Sequence, residues 1–239
     1  MAFIHGKNTV VFVNGSNLSP YFNDSSVSQD VETAETTAFG DSAKTYITGL
    51  RDGTMSADGM FDGSLLAIDA VLSGIIGSTA ADVVTMAPEG ATAGKPCYSA
   101  STRETSYEIS SPVADVVSAS MEAQATGGID RALLLDANEA VTAARNSAVI
   151  DNAASTSDGV VGYLHVTLNT RDGSTSLSVQ DSADNITFAD LVPFVAVGAA
   201  AIGGQRVAVA GTVERYVRTQ ITPGGSSGSI TYTMAFARK

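Results

Sequence analysis

Residues 117–126, VSASMEAQAT, alternate strictly between two kinds of side chain. Val117, Ala119, Met121, Ala123 and Ala125 fall to one side, and Ser118, Ser120, Glu122, Gln124 and Thr126 to the other. A period of two is that of a pleated strand with one face buried; a helix cannot segregate the same residues. Met55, Ala57, Gly59 and Phe61 repeat the pattern against Thr54, Ser56 and Asp58. A chain written this way has to be mainly β.

The second half carries the same signal. Leu164, Val166 and Leu168 alternate with Tyr163, His165 and Thr167, followed by Leu177/Val179, Val207/Val209, Val217/Thr219/Ile221 and Ile230/Tyr232/Met234/Phe236. Gly203-Gly204 and Pro223-Gly224-Gly225 punctuate at the short spacing of a β-sandwich. Asn14-Gly15 and Asp172-Gly173 read as hairpin turns, because these residues tolerate positive φ. Gly127-Gly128 should break or bulge the long strand before Leu133–Leu135.

One segment changes period. In residues 64–77, SLLAIDAVLSGIIG, Leu65, Ile68, Leu72, Ile75 and Ile76 recur at helical spacing. Ser64 is placed to cap the start and Gly77 to stop the end, which predicts a helix of about three turns packed on a sheet. Asp69 and Ser73 are expected to face water.

Charge divides the chain. The net charge is −12. Residues 1–140 contain 6 Lys+Arg and 18 Asp+Glu, and residues 141–239 contain 7 of each, so the first part holds the whole excess. That asymmetry and the weakly periodic stretch 136–158 suggest a linker and two domains, 1–144 and 145–239. An acidic domain repels nucleic acid rather than holding it.

Chemistry is sparse. Cys97 is the only cysteine, which excludes an intrachain disulfide; it reads as a small core or loop residue. His5 and His165 are the only histidines, too few for a clustered zinc site or a triad built on several bases. Asp181, Asp184 and Asn185 lack the spacing of a calcium loop and read as a polar turn. Asp58/Asp62 and Glu32/Glu35 read as solvated acids rather than acid–base pairs. No nucleotide-binding motif occurs, no cofactor is implied, and an enzyme is not expected. No apolar run reaches the length of a membrane span, and MAFIHGKNTVVFVNG lacks the long apolar core of a signal peptide, so synthesis in a cytoplasm is expected.

What stands out instead is a long polar connection. VETAETTAFGDSAKTYITGLRDGTMSADGMFDG, residues 31–63, looks like strand at both ends and like a Thr-rich loop from Thr33 to Gly49. Loops of this length in compact domains are functional or disordered. With no catalytic residue in it, function by assembly is expected.

The string from Leu18-Ser19-Pro20-Tyr21 through VSQDVETAETTAFGDSAKTYITGLRDGTMSADGMFDG resembles the N-terminal part of major tail tube proteins of long-tailed, siphovirus-type bacteriophages. The likeness is dense over residues 15–77 and looser to about 140. GYLHVTLNTRDGSTSLSVQDSADNITFADL through RYVRTQ resembles β-sandwich modules appended to phage tail proteins. The resemblance implies a tail-tube β-sandwich or barrel domain with one flanking helix, plus a C-terminal all-β sandwich displayed outside. It implies hexameric rings whose inner strands form a continuous barrel, stacked into a tube that conducts DNA from capsid to host. The implied partners are further copies of the chain, tape-measure and tail terminator or tip proteins, and the genome in passing, with no membrane. The implied location is the virion tail, after synthesis in the bacterial cytoplasm. Carried onto this chain, the inter-subunit or inter-ring loop comprises Thr33, Glu35, Thr37, Phe39, Asp41, Lys44 and Tyr46. It is expected to be ordered by neighbouring subunits.

A rival reading is a stand-alone glycan-binding or adhesion protein made of two β-sandwiches. Tyr163, Tyr216 and Tyr232 would be its stacking aromatics, although Tyr232 alternates with apolar neighbours as a core residue does.

Overall fold

The structure is a computed structural model that describes residues 4–239, and of residues 137 and 138 the backbone only. The first three residues of the N-terminal stretch read above lie outside the described residues. The fold is mainly β with sandwiched sheets and, among the described residues, one α-helix. The strands of the first part are β1 (Val10–Val13), β2 (Ser16–Asn17), β3 (Phe22–Glu35), β4 (Tyr46–Met60), β5 (Asp82–Ala87), β6 (Pro96–Ser110) and β7 (Ser118–Val141), with helix α1 (Ile68–Ile75) between β4 and β5. They are followed by β8 (Arg145–Asn146), β9 (Ile150–Asp151), β10 (Val160–Asn169), β11 (Ser176–Ser182), β12 (Ala189–Pro193), β13 (Gly203–Val209), β14 (Tyr216–Thr222) and β15 (Ile230–Arg238).

Ten strands form one sheet in the order β13-β10-β15-β7-β6-β5-β1-β2, with β4 on β7 and β3 on β4. A second sheet runs β12-β11-β14, with β8 and β9 on the free side of β14. The 24-residue β7 joins the halves. One of its sides carries β6, and the other carries β4 along its first stretch and β15 along its second. Gly127 and Gly128, both at φ +84°, form the bulge where the register to β6 jumps from Ser101↔Thr126 to Ser99↔Asp130.

Three clusters make the interior. One lies inside the first part and includes Leu18, Met55, Ile68, Leu72, Val84 and Met121. A second fills the space between the two sheets of the C-terminal part and includes Leu164, Val179, Val217, Ile221, Tyr232 and Phe236. The third, with Ala87, Cys97, Leu134, Tyr163 and Ala235 among its members, is assembled from strands of both parts. Cys97 is a core residue, and burial pushes its thiol up to about 12.

A buried polar chain crosses this shared interior. His165 Nδ1 accepts the Gly15 amide at 3.2 Å, so Nε2 carries the proton and donates to Thr85 Oγ1 at 2.8 Å; Thr85 bonds Ser99 Oγ at 2.8 Å. The ring also stacks on Phe12, with centroids 5.4 Å apart. Tyr163, His165 and Val166 are all buried, so β10 is covered on both faces rather than on one. In the C-terminal half, buried Asp136 ties the sheets together by accepting from Arg145, Thr219 and Tyr232.

Several expectations need correction. The helix is shorter than three turns: it starts at Ile68 with Ala67 as N-cap, and Ser64 makes no cap bond. Leu66, at φ +64°, breaks the helical path and leaves Leu65 and Leu66 exposed. Gly77 at φ +72° does end the segment. Asp69 is not simply hydrated, because Tyr107 Oη donates to it at 2.9 Å and pins α1 to β6. Residues 136–158 are not structureless: β7 continues to Val141, and β8 and β9 pair with β14. Asp172-Gly173 is not a hairpin turn, since β10 and β11 belong to different sheets. Asp172 instead clamps the 223–228 loop, accepting from the amides and hydroxyls of Ser226 and Ser227.

Burial holds the His165 ring well below its ordinary value of 6.5, at about 3. A depressed folded value means that the unfolded chain takes up the proton first. The stability due to neutral His165 is therefore present above about pH 6.5 and lost as pH falls toward about 3. His165→Gln, which cannot titrate, should melt lower than the native chain at neutral pH. The gap should shrink or reverse in melting curves recorded on the way to about pH 4.

Candidate assembly interface

From Gln29 to Asp52 every residue is exposed. The predicted loop is in fact the end of a hairpin arm. Thr33 pairs with Thr48, Ala34 with Ile47 and Glu35 with Tyr46, so only residues 36–45 connect the strands. A one-residue bulge intervenes, because Val31 pairs with Arg51 and Thr33 with Thr48. The part with no protein against either face reaches about 25 Å.

The tip is held by its own short-range bonds. Thr36 N donates to Thr45 O at 2.8 Å, and the Thr36 and Thr45 hydroxyls lie 3.1 Å apart. Asp41 accepts from Ala38 N at 2.8 Å, and Thr37 Oγ1 accepts from Thr45 N at 3.1 Å. Lys44 Nζ contacts Glu35 at 2.9 Å and, with Thr37, holds that exposed carboxyl below its usual range. Phe39 stands fully exposed at the tip, and Tyr46 is more than half exposed. All seven residues singled out in sequence thus lie on one arm. Val31, Ile47 and Leu50, also exposed there, are further apolar groups that the polar reading passed over.

An isolated two-stranded ribbon is marginal in water. This one also displays apolar groups on both faces: Val31 and Tyr46 share one side with Thr33, and Ala34 and Ile47 share the other. Such a ribbon gains stability only by being covered.

Below the arm, β3, β4, β7 and the 103–110 portion of β6 form a four-stranded antiparallel sheet. Its two faces differ sharply. Register places Asp24, Asp58, Ser120 and Glu108 in one row, and Ser26, Ser56, Glu122 and Ser106 in the next. Asp30 and Asp52 face each other one row beyond Ser28 and Thr54. In that intervening row Arg103 stands opposite Gln124, but its guanidinium turns away to the Ser78 carbonyl at 3.1 Å. The other face carries Val27, Met55, Ala57, Ala119, Met121 and Ala123 against the core.

Both lateral edges of this sheet lack a strand partner among the described residues. β3 pairs only with β4, and β5 covers β6 only as far as Thr102. An open cleft of about 400 Å³, lined among others by Thr9, Val27, Met86 and Tyr98, separates β3 from the strands across the interior. Unpaired edges of this length are templates for another strand.

Elsewhere the polar groups are committed to structure. Asp184 accepts from Ile186 N, Thr187 N and Ser182 Oγ, which closes a self-bonded turn after β11, while Asp181, still on β11, accepts from Glu214 N at 2.8 Å. Tyr163 and Tyr232 are buried, and Tyr216 is half-buried beneath the Arg215 guanidinium, 4.9 Å from its ring centre. None of the three offers a bare ring for sugar stacking. Among the described residues, no group of three or more His, Cys, Asp or Glu side chains is placed to hold a metal ion.

No protein-family model matches the chain, and no curated protein matches it. Solved structures do. A chain of the virion of a native gene transfer agent particle aligns at 14% identity and a TM-score of 0.45, over 53% of this chain and 97% of its own. A chain from the tail of an empty gene transfer agent particle with C6 symmetry aligns at 13% identity and a TM-score of 0.46, over 54% and 98%. The SPP1 Dit (gp 19.1) protein, from the adsorption apparatus of phages infecting Gram-positive hosts, aligns at 12% identity and a TM-score of 0.37, over 96% and 98%.

Two outcomes are expected. Replacing residues 32–50 by Asn-Gly makes the paired Val31 and Arg51 flank a two-residue turn. Because the arm packs on nothing, calorimetry should find the melting temperature unchanged. Asp58→Asn removes a like charge directly opposite Asp24 and should stabilise the chain by about 0.2–1 kcal/mol in denaturant titrations.

Proposed function

We propose that the chain is a structural subunit of a phage-type tail, and that its copies close into rings and stack into the tail tube. One observation carries the reading: a four-stranded sheet that is acidic on one face and core-packed on the other, with both edges free. The strand order β3-β4-β7-β6 alternates in direction, so the β3 of one copy meets the β6 of the next antiparallel. An even number of antiparallel strands lets identical head-to-tail contacts repeat around a closed ring. About six copies would supply roughly 24 strands, closing a barrel on the order of 40 Å across.

In such a barrel the core-packed face lies outward and the acidic face lines the channel. Asp24, Asp30, Asp52, Asp58, Glu108 and Glu122 then repel phosphates, so DNA slides without sticking. The arm, with Thr33, Glu35, Thr37, Phe39, Asp41, Lys44 and Tyr46, reaches to a neighbouring copy or ring. Residues 1–144 build the wall, and the sandwich of 145–239 is carried outside it. The partners are further copies, tape-measure and terminator or tip proteins, and the genome in passing. The work is mechanical, not catalytic.

Negative-stain microscopy of concentrated purified protein tests the reading. Rings or tubes with a central channel are expected, and the arm-trimmed chain should yield rings that do not stack or no assemblies at all. A native chain that stays monomeric at high concentration and with tail chaperones, or an arm-trimmed chain that builds native tubes, would overturn it.

A further inference from the structure

The acids on the channel-facing side are solvated, but two others are buried on the opposite side. Asp82 opens β5 and is 4% exposed; Glu104, on β6, is 7% exposed. Asp82 pairs in register with Thr102, and Glu104 lies two residues farther along the same strand. All three side chains therefore point to one side, the side of Val84, Ala100 and Ala123 in the interior of the first part. Diagonal neighbours across a ladder are within reach of each other when one side chain is long.

The oxygens of this group are unusually poorly matched. One Asp82 oxygen accepts from Asn14 Nδ2. Its other oxygen, both oxygens of Glu104 and the Thr102 hydroxyl have no hydrogen-bond partner among the described residues. Thr102 is fully buried and stands directly opposite Asp82. Its hydroxyl is an orphan in its own right, independent of the two acids. Buried polar groups are nearly always paired, and an unpaired one is costly, more so when charged. The nearest cation does not resolve this. Arg103 acts on Asp82 through space, but its guanidinium donates its hydrogen bond to the Ser78 carbonyl. Tyr107, the other titratable group near Glu104, spends its hydroxyl on Asp69.

We propose that Asp82, Thr102 and Glu104 form a buried site for a hard divalent cation, calcium rather than magnesium. Four orphan oxygens, with no nitrogen or sulfur among them, suit a hard ion and not zinc or copper. Two carboxylates balance the divalent charge. Calcium accepts an irregular set of six to eight oxygens completed by water, whereas magnesium demands a near-ideal octahedron. The ion would pin the start of β5 to β6 at the point where β6 passes from its covered to its uncovered length. The site lies on the core side of β6 at the start of its uncovered length, and calcium uptake is read on the unassembled chain, so the site can fail while the tube reading stands.

The test uses the full chain in EDTA, in millimolar CaCl₂ and in millimolar MgCl₂, with ionic strength held constant by NaCl. Equilibrium dialysis with elemental analysis should find saturable uptake of a single calcium per chain. The melting temperature should rise with the logarithm of calcium concentration, and less with magnesium. Glu104→Gln, close in shape and lacking the charge, should melt higher than the native chain in EDTA and lose the calcium response. Glu108→Gln, on the solvated face, should keep it. Absence of calcium uptake by the native chain overturns the proposal, as does a calcium response that survives in Glu104→Gln. So does a native chain indifferent to calcium whose stability in EDTA falls as pH rises from about 4.5 toward about 8, the interval over which burial raises Glu104. That result would mean that the two acids share a proton instead.

Discussion

The backbone ladder along β7 is the constraint on which the rest depends. A single 24-residue strand serves as the middle strand of two successive environments: β4 and β6 flank its first stretch, and β6 and β15 its second. The exchange of β4 for β15 needs a local change of twist and register, and Gly127-Gly128 provide it at φ values closed to other residues. Because β7 is one continuous strand, paired with β6 on both sides of the bulge, the acidic first half and the neutral second half share one sheet. Their third hydrophobic cluster could not form without both.

The polar chain inside that shared cluster fixes how the halves sit. Gly15 donates to His165 from the β1–β2 turn, and an added Cβ there would stand 2.6 Å from the Val166 carbonyl oxygen. The turn can therefore approach β10 only as glycine. The Asn14-Gly15 pair looks like ordinary hairpin chemistry in sequence, yet its second role is to bring backbone to a buried imidazole. A histidine placed this way is a structural acceptor and donor, held between the Gly15 amide and the Thr85 hydroxyl.

Much of this was legible in the sequence wherever one face is wet and the other dry. The alternation at 54–61 and 117–126 names the buried residues of β4 and β7 correctly, and Tyr232 reads as core. The signal fails where both faces are alike. β10 is buried on both sides, so its alternation at 163–168 marks no wet face, and the arm is bare on both, so no alternation marks its strands. Thr33–Gly49 thus looked like loop, although much of it is paired strand. The helix boundary failed because Leu65 fits the helical spacing but is followed by the left-handed Leu66. The acidic rows were out of reach for another reason. Bulges near Asn23, Gly49 and Thr105 shift the register, and which acids become neighbours depends on those shifts rather than on any one strand.

On the proposed tube reading, the two-faced character of the arm bears on the timing of assembly. Covering Val31 and Tyr46 leaves Ile47 in water, and covering Ile47 leaves the other pair. A first neighbour therefore recovers only part of the available burial, while a second completes it and also rigidifies the ribbon. Growth on an existing end, where both faces can be met, is favoured over encounters of free subunits. Polymerisation of that kind shows a lag and is abolished by dilution, and it starts where a template is supplied. Under that reading, unassembled subunits accumulate until a template starts growth.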